Sequence, residues 1–219
     1  MRCWRTTRAG GMTARMRLVA ALVTLAPLGC TVGEGEGRVS SDHLWIAGCW
    51  NDAFELSPDF FGANPDQGES LTIRVQRGDN IEDTSDGLIV LVNDLPEIRK
   101  KLGQELDVGM PRGVTPSGVP IEFNPDPPKI SLSLYLHNSC HLQNGTIYSI
   151  SGKITFSSLF SGDPNESSSE DRLTDARFDA QFADPRELVD ADDPAAVTSR
   201  VTGNFHFFFQ RGQPSQPFQ

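Results

Sequence analysis

Ile130-Ser131-Leu132-Ser133-Leu134-Tyr135-Leu136-His137 is the stretch that decides the fold. Large aliphatics alternate with serine, tyrosine and histidine, and a period of two places every aliphatic on one face of an extended chain. A helix would scatter the same residues around its circumference. The stretch therefore predicts a half-buried β-strand with a polar outer face. Working outward, Leu71-Thr72-Ile73-Arg74-Val75-Gln76 alternates in the same way. So do Ile154 and Phe156 against Lys153 and Thr155, Phe178, Ala180 and Phe182 against Asp179 and Gln181, and Phe205, Phe207 and Phe209 against His206, Phe208 and Gln210. Leu88-Ile89-Val90-Leu91-Val92 is continuously apolar, the pattern of a strand buried on both faces.

Turn chemistry separates these runs. Asn144-Gly145 is a hairpin signal, and Gly78-Asp79-Asn80, Asp126-Pro127-Pro128, Ser161-Gly162-Asp163-Pro164 and Asp192-Asp193-Pro194 are further breaks. The acidic segments 163–171 and 184–193 read as long surface loops. One short helix is expected, with Asp94 as N-cap, Pro96 in the first turn, Glu97 completing a capping box and Gly103 as the C-terminal stop. Ile98 and Leu102 would form its apolar stripe. Arg99-Lys100-Lys101 would lie at its dipole-favoured end, with a lipid-headgroup contact as the alternative role. The fold class that follows is all-β, a sandwich or barrel-like antiparallel domain over residues 43–212, with a Pro/Gln-rich tail at 213–219.

The N-terminus carries a different message. All charges in residues 1–29 are arginines, and they precede the apolar run Leu18–Ala26. A basic region, a short apolar region and a small residue before the cut are the parts of an export signal. Met12 and Met16 are alternative starts. The run is too short to span a bilayer. Pro27-Leu28-Gly29-Cys30 resembles the lipobox of bacterial lipoproteins, although Pro27 and Leu28 stand where that pattern carries leucine and a small residue. The resemblance implies a thioether-linked diacylglycerol on Cys30 and cleavage before it. Thr31 is not the aspartate of the inner-membrane retention signal, so the resemblance points to the outer membrane. Gly, Glu and Ser dominate residues 30–42, which read as a flexible tether. Segments 71–78, 85–87, 133–137, 160–164 and 207–214 also resemble those of uncharacterised bacterial lipoproteins, a family that implies export and anchoring without an established activity.

Once Cys3 leaves with the signal and Cys30 takes the lipid, Cys49 and Cys140 remain. Two cysteines in an oxidising compartment are expected to pair.

Chemistry is harder to find. The chain carries 29 acidic against 19 basic residues, and every one of the five charges in the signal is basic, so the exported domain is strongly acidic. That excludes a nucleic-acid partner held through phosphates. No nucleophile elbow, zinc-protease, phosphate-loop or dithiol motif occurs, and no cofactor is implied. His137 and His141 lie about 13 Å apart if they share one strand, too far for a common metal ion. The clusters Asp79/Glu82/Asp83/Asp86 and Asp163/Glu166/Glu170/Asp171 supply oxygen ligands of the kind calcium takes, or are solvated loops. Trp45 and Trp50 fall on opposite faces of a regular strand, with Trp45 on the same face as Cys49. Arg77 and Arg211 end two strands, as partners of acidic loops or as anion contacts.

These readings converge on a lipid-anchored protein of the cell envelope. It contacts the membrane through its anchor and works as a binding or assembly module for an envelope protein or glycan. The alternatives are an envelope hydrolase whose site is assembled only by the fold, and a calcium-stabilised, adhesion-like module.

Overall fold

A computed structural model describes residues 35–66, 69–78, 82–111, 128–140, 145–190 and 193–210. They form a single ten-stranded sheet with all strand ladders antiparallel, ordered β2-β1-β10-β9-β8-β7-β5-β4-β3. In chain order the strands are β1 (Gly35–Ile46), β2 (Trp50–Leu56), β3 (Phe60–Asp66), β4 (Ser70–Arg77), β5 (Asp86–Asn93), β6 (Leu106–Asp107), β7 (Ile130–Leu136), β8 (Thr146–Ser158), β9 (Leu173–Ala183) and β10 (Ser199–Phe208). The two-residue β6 lies off the main path and pairs with β8.

The sheet curls into a barrel-like half-cylinder whose two edge strands, β2 and β3, are consecutive in the chain. Antiparallel steps along the path are even in number, so β2 and β3 run in the same direction. Only Ser57-Pro58-Asp59 separates them, and the chain steps from one edge of the sheet to the other. Contact of the β3 edge with β1 requires glycine. A Cβ on Gly35 would lie 2.7 Å from the Phe61 ring, and one on Gly37 would lie 3.2 Å from it. Phe61 of β3 stacks on Phe207 of β10 at 5.7 Å.

The inward face is a continuous apolar core, with Leu71, Ile73, Val75, Leu88, Val90, Val92, Leu132, Leu134, Phe156, Phe182 and Phe205 wholly excluded from solvent. β9 alternates small and large along this face (Ala176, Phe178, Ala180, Phe182), and Gly203 of β10 leaves room for the Phe178 ring, 2.6 Å from where its Cβ would stand. Outward residues of β8 to β10 include Lys153, Arg177, Asp179 and Arg200, so this wall faces water.

Bulges tune the curl. Register shifts at Ser41/Leu44 in β1 and at Ser149/Ser151 in β8 exchange the inward set from odd to even positions: Val39 and Ser41 give way to Leu44 and Ile46, and Ile147 and Ser149 to Ile154 and Phe156.

Several expectations change. The first strand starts at Gly35, so most of the segment read as a tether is ordered sheet paired to β10 from Gly35↔Phe207 onward. Its Gly/Glu composition mimics a linker, while the glycines serve the close approach just described. The helix α1 is shorter (Leu95–Arg99), and Asp94 adopts a left-handed backbone (φ 58°) with no side-chain cap, its carboxylate pairing with Lys129 at 2.9 Å instead. Leu102, beyond the helix, is exposed. Two more short helices, α2 (Ser169–Arg172) and α3 (Pro185–Asp190), occupy the acidic segments read as loops. Ile89 and Leu91 of the apolar run are only half-buried, so β5 has one core face rather than two.

Cys49 and Cys140 form a disulfide, with Cα atoms 5.6 Å apart across 91 positions of sequence. The bond ties the tip of the β1–β2 hairpin to the turn after β7. The chain-entropy account assigns such a loop about 4–5 kcal/mol. Replacing both cysteines by serine is therefore expected to lower the urea-unfolding free energy by a few kcal/mol with the β-type circular dichroism spectrum retained; an unchanged midpoint would show that the bond carries no stability.

Candidate rim cleft at the disulfide end

The chain enters β1 and leaves β10 at one end of the barrel, since Gly35 pairs with Phe207. The opposite end carries turn 47–49, the ends of β4 and β5 and turn 137–140. There the β1–β2 hairpin stands past the end of β4 and leaves its inner face partly uncovered. The resulting cleft holds about 490 Å³ and is open to solvent.

Each wall has a local cause. Trp50, Phe54 and Leu56 point inward from β2 because they register with Ile46, Ser41 and Val39 of the inward set. Trp50 meets Phe54 edge to face at 5.6 Å. Its indole N–H lies 3.2 and 3.3 Å from the carbonyls of Asp52 and Ala53, which fixes the ring plane and covers part of the free backbone edge of β2. Arg77 is the last residue of β4, exposed, and registers with Asp86 of β5. It makes no ion pair among the described residues.

Asp86, by contrast, is buried and fully engaged. The backbone N–H groups of Asn138 and Ser139 donate to Oδ1 at 3.1 and 3.0 Å, and the Ser139 hydroxyl donates to Oδ2 at 2.6 Å. This carboxylate holds the turn that carries Cys140.

Behind the cleft, on the outer face, lies a buried polar network. The Tyr135 hydroxyl donates to Gln76 Oε1 at 2.7 Å, and Gln76 Nε2 donates to the Ser85 hydroxyl at 3.1 Å. Arg74, almost wholly buried, pairs with Glu82 at 2.8 Å. Gly87, registered with Tyr135, makes space for the phenol, since a Cβ there would come within 2.4 Å of its oxygen. Burial pushes the Tyr135 phenol well above its ordinary range. The network fastens the 3₁₀ turn Glu82–Thr84 over the sheet.

The described histidines are structural partners. His137 Nδ1 lies 3.1 Å from the Glu82 carbonyl and Nε2 lies 3.1 Å from the Thr146 hydroxyl, so neither ring nitrogen reaches Ser139. A Ser/His/Asp relay through His137 is therefore not assembled. His43 bonds Asn51, and His206 bonds Asp175. The acidic clusters likewise disperse: Glu82 turns to Arg74, Asp86 to turn 137–140, Asp171 to Arg99, and Glu166 to the backbone N–H groups of Ser167 and Ser168. Among the described residues no three metal-ligating side chains converge.

Trp45 sits half-buried on the outer wall while Trp50 lines the cleft, so the two indoles form no common platform. Trp50, not Trp45, packs against the core beside Cys49. The Phe205/Phe207 stripe is core, and Phe209, past the end of β10, stacks on Phe160 at 4.1 Å. Cys30, Asp79, His141 and Arg211 lie outside the described residues. No described helix is long and apolar enough to cross a membrane. Comparison of the chain with protein-family models, with curated proteins and with solved structures finds no match.

Because the Tyr135 pKa is raised in the folded state, the stability it contributes is fully present below the ordinary phenol value near 10 and is lost as pH rises above it, where the unfolded chain releases a proton that the native protein retains. Tyr148 is shifted in the same direction by burial and adds to this slope. Urea unfolding at pH 8 and pH 11 should show a loss of stability at the higher pH that Tyr135→Phe reduces. The same substitution should cost about 1–2 kcal/mol at pH 8, because Gln76 Oε1 loses its donor. An equal pH slope in both proteins would contradict the assignment.

Proposed function

We propose that the protein is a lipid-anchored binding module of the bacterial cell envelope, which engages an envelope partner through the rim cleft. The observation that carries the binding part is the contrast between a barrel interior filled by side chains and an open cleft at its mouth lined by an indole and an exposed arginine. Among the described residues the inward-facing side chains pack into one core, whereas concave surfaces with a few convergent polar groups are where ligands bind. The histidine geometry supports binding over hydrolysis, because His137 is committed to two structural hydrogen bonds.

The envelope part rests on the arginine-rich leader, the lipobox-like Pro27–Cys30 and the Cys49–Cys140 disulfide, which belongs to an oxidising compartment. The start of β1 at Gly35 gives the anchor a directional consequence. Only residues 31–34 intervene between Cys30 and the sheet, a reach of about 17 Å at full extension. A lipid on Cys30 would hold the β1 entry end of the barrel near the membrane and turn the disulfide end, with its cleft, outward.

Intact mass of the protein extracted from its host's membranes tests the anchor. The expected mass begins at Cys30, carries acyl chains and rises by two hydrogens on reduction. A mass that begins at Met1 without lipid would remove the envelope assignment.

A further inference from the structure

We propose that the rim cleft binds a carboxylate-bearing saccharide, with a sugar face laid on the Trp50 indole and the carboxylate held by Arg77. This rests on reading the protein as a binding module and names its ligand class.

Three features of the cleft point to this chemistry. Trp50 is oriented from both sides, by its N–H bonds to the Asp52 and Ala53 carbonyls and by the edge-to-face contact with Phe54, so its ring is a preorganised surface for the C–H face of a sugar. Around it the lining is polar: Thr84, Asn138 and Ser139 bring hydroxyl and amide groups, the Ser139 hydroxyl already donating to Asp86, and the two carboxylates present, Glu55 and Asp86, are engaged by Arg38 and by turn 137–140.

The third feature is charge. Among the described residues most guanidinium groups find a carboxylate: Arg38 pairs with Glu55, Arg74 with Glu82, Arg99 with Asp171, Arg186 with Asp184 and Arg200 with Asp179. Arg77 stands beside Asp86 in the sheet, yet the Asp86 oxygens are occupied by three donors from turn 137–140. Arg77 lines the cleft and makes no ion pair among the described residues, and a planar carboxylate is the group that matches its fork. A peptide strand added along β2 fits less well, because Trp50 and the Asp52 carboxylate, which accepts from Ala53 N–H at 2.7 Å, cap the middle of that edge.

The test uses the full-length protein in detergent and calorimetric titration with N-acetylmuramate, glucuronate and tri-galacturonate. Each is compared with a neutral counterpart: N-acetylglucosamine, glucose and methyl-esterified tri-galacturonate. At least one acid should bind about tenfold or more tightly than its neutral partner, with quenching of tryptophan fluorescence and weakening by salt. Arg77→Gln should abolish that preference, Arg77→Lys should retain part of it, and Trp50→Leu should weaken acid and neutral sugar alike. Arg200→Gln on the outer wall should leave binding unchanged. Arg77 is exposed and makes no ion pair among the described residues, so its variants are expected to keep the wild-type urea midpoint; binding is compared only between proteins that do.

If no acid outbinds its neutral partner, or if Arg77→Gln leaves the preference intact, the proposal is overturned. A photo-crosslinker at Asn138 in the intact envelope then decides the broader reading. An adduct there overturns the ligand class alone, whereas its absence removes the binding module as well.

Discussion

Contact of the β3 edge with β1 and β10, which closes one curled sheet on itself, is the constraint on which the rest of this molecule depends. An antiparallel sheet with apolar residues on one face must cover that face, and here it does so by curling until β3 meets β1 and β10. The contact tolerates almost nothing at its closest points. Phe61 fills the space where Gly35 and Gly37 lack side chains and reaches Phe207 beyond them. A methyl group at either glycine would push the edges apart and open the core at Phe205 and Phe207 to water. The bulges at Ser41/Leu44 and Ser149/Ser151 are the other half of the same solution, because they bend and twist the long strands β1 and β8 without turning their apolar residues outward.

That geometry accounts for what was legible in the sequence. Alternation is a local property, and strands β4, β7, β9 and β10 could be read from Leu71–Gln76, Ile130–Leu136, Phe178–Phe182 and Phe205–Phe207 because each keeps one parity along its core-facing residues. β1 could not. Its parity switches at the bulge, and its first residues, Gly35-Glu36-Gly37, carry the composition of a linker because the Phe61 ring supplies the bulk that their own side chains do not. The helix near Asp94 was legible from Pro96 and Gly103, but its cap was not: the carboxylate was claimed by Lys129, which is distant in sequence. Cysteine count and compartment sufficed for Cys49–Cys140, whereas the meaning of the bond, a tie between two turns across the barrel mouth, is purely tertiary.

The candidate site was less legible than the fold, for a physical reason. Its residues come from β2, β4, β5 and turn 137–140, and only strand order and stagger bring them together. Trp50 could be placed on a face by counting, but not at a rim. In sequence Arg77 reads as a partner of acidic loops or an anion contact and Asp86 as one member of an acidic cluster, and the sheet registers the two side by side. The difference lies in the three donors of turn 137–140, which satisfy Asp86 and leave Arg77 to the cleft. Of the acidic clusters that suggested a bound cation in one dimension, Glu82, Asp86, Glu166 and Asp171 are drawn to separate guanidinium, hydroxyl or N–H partners, because unpaired charge in partly buried positions is costly.

These dependencies join compartment to site. The β1–β10 ladder runs from Gly35↔Phe207 to Ser40↔Thr202, and past it the tip of the β1–β2 hairpin is a two-stranded ribbon with little to hold its inner face over the core. The Cys49–Cys140 bond supplies that restraint, pinning the hairpin tip to the turn that Asp86 organises. Cleft width is thus set by a covalent link that forms only under oxidising conditions. In a reducing compartment the hairpin would lose its tie, Trp50 and Phe54 would no longer be held opposite Arg77, and the concave surface would open into an apolar edge. The cleft as observed therefore depends on the Cys49–Cys140 bond, and on the proposed reading of residues 1–29 as an export signal the oxidising compartment and the aromatic rim belong to one functional account.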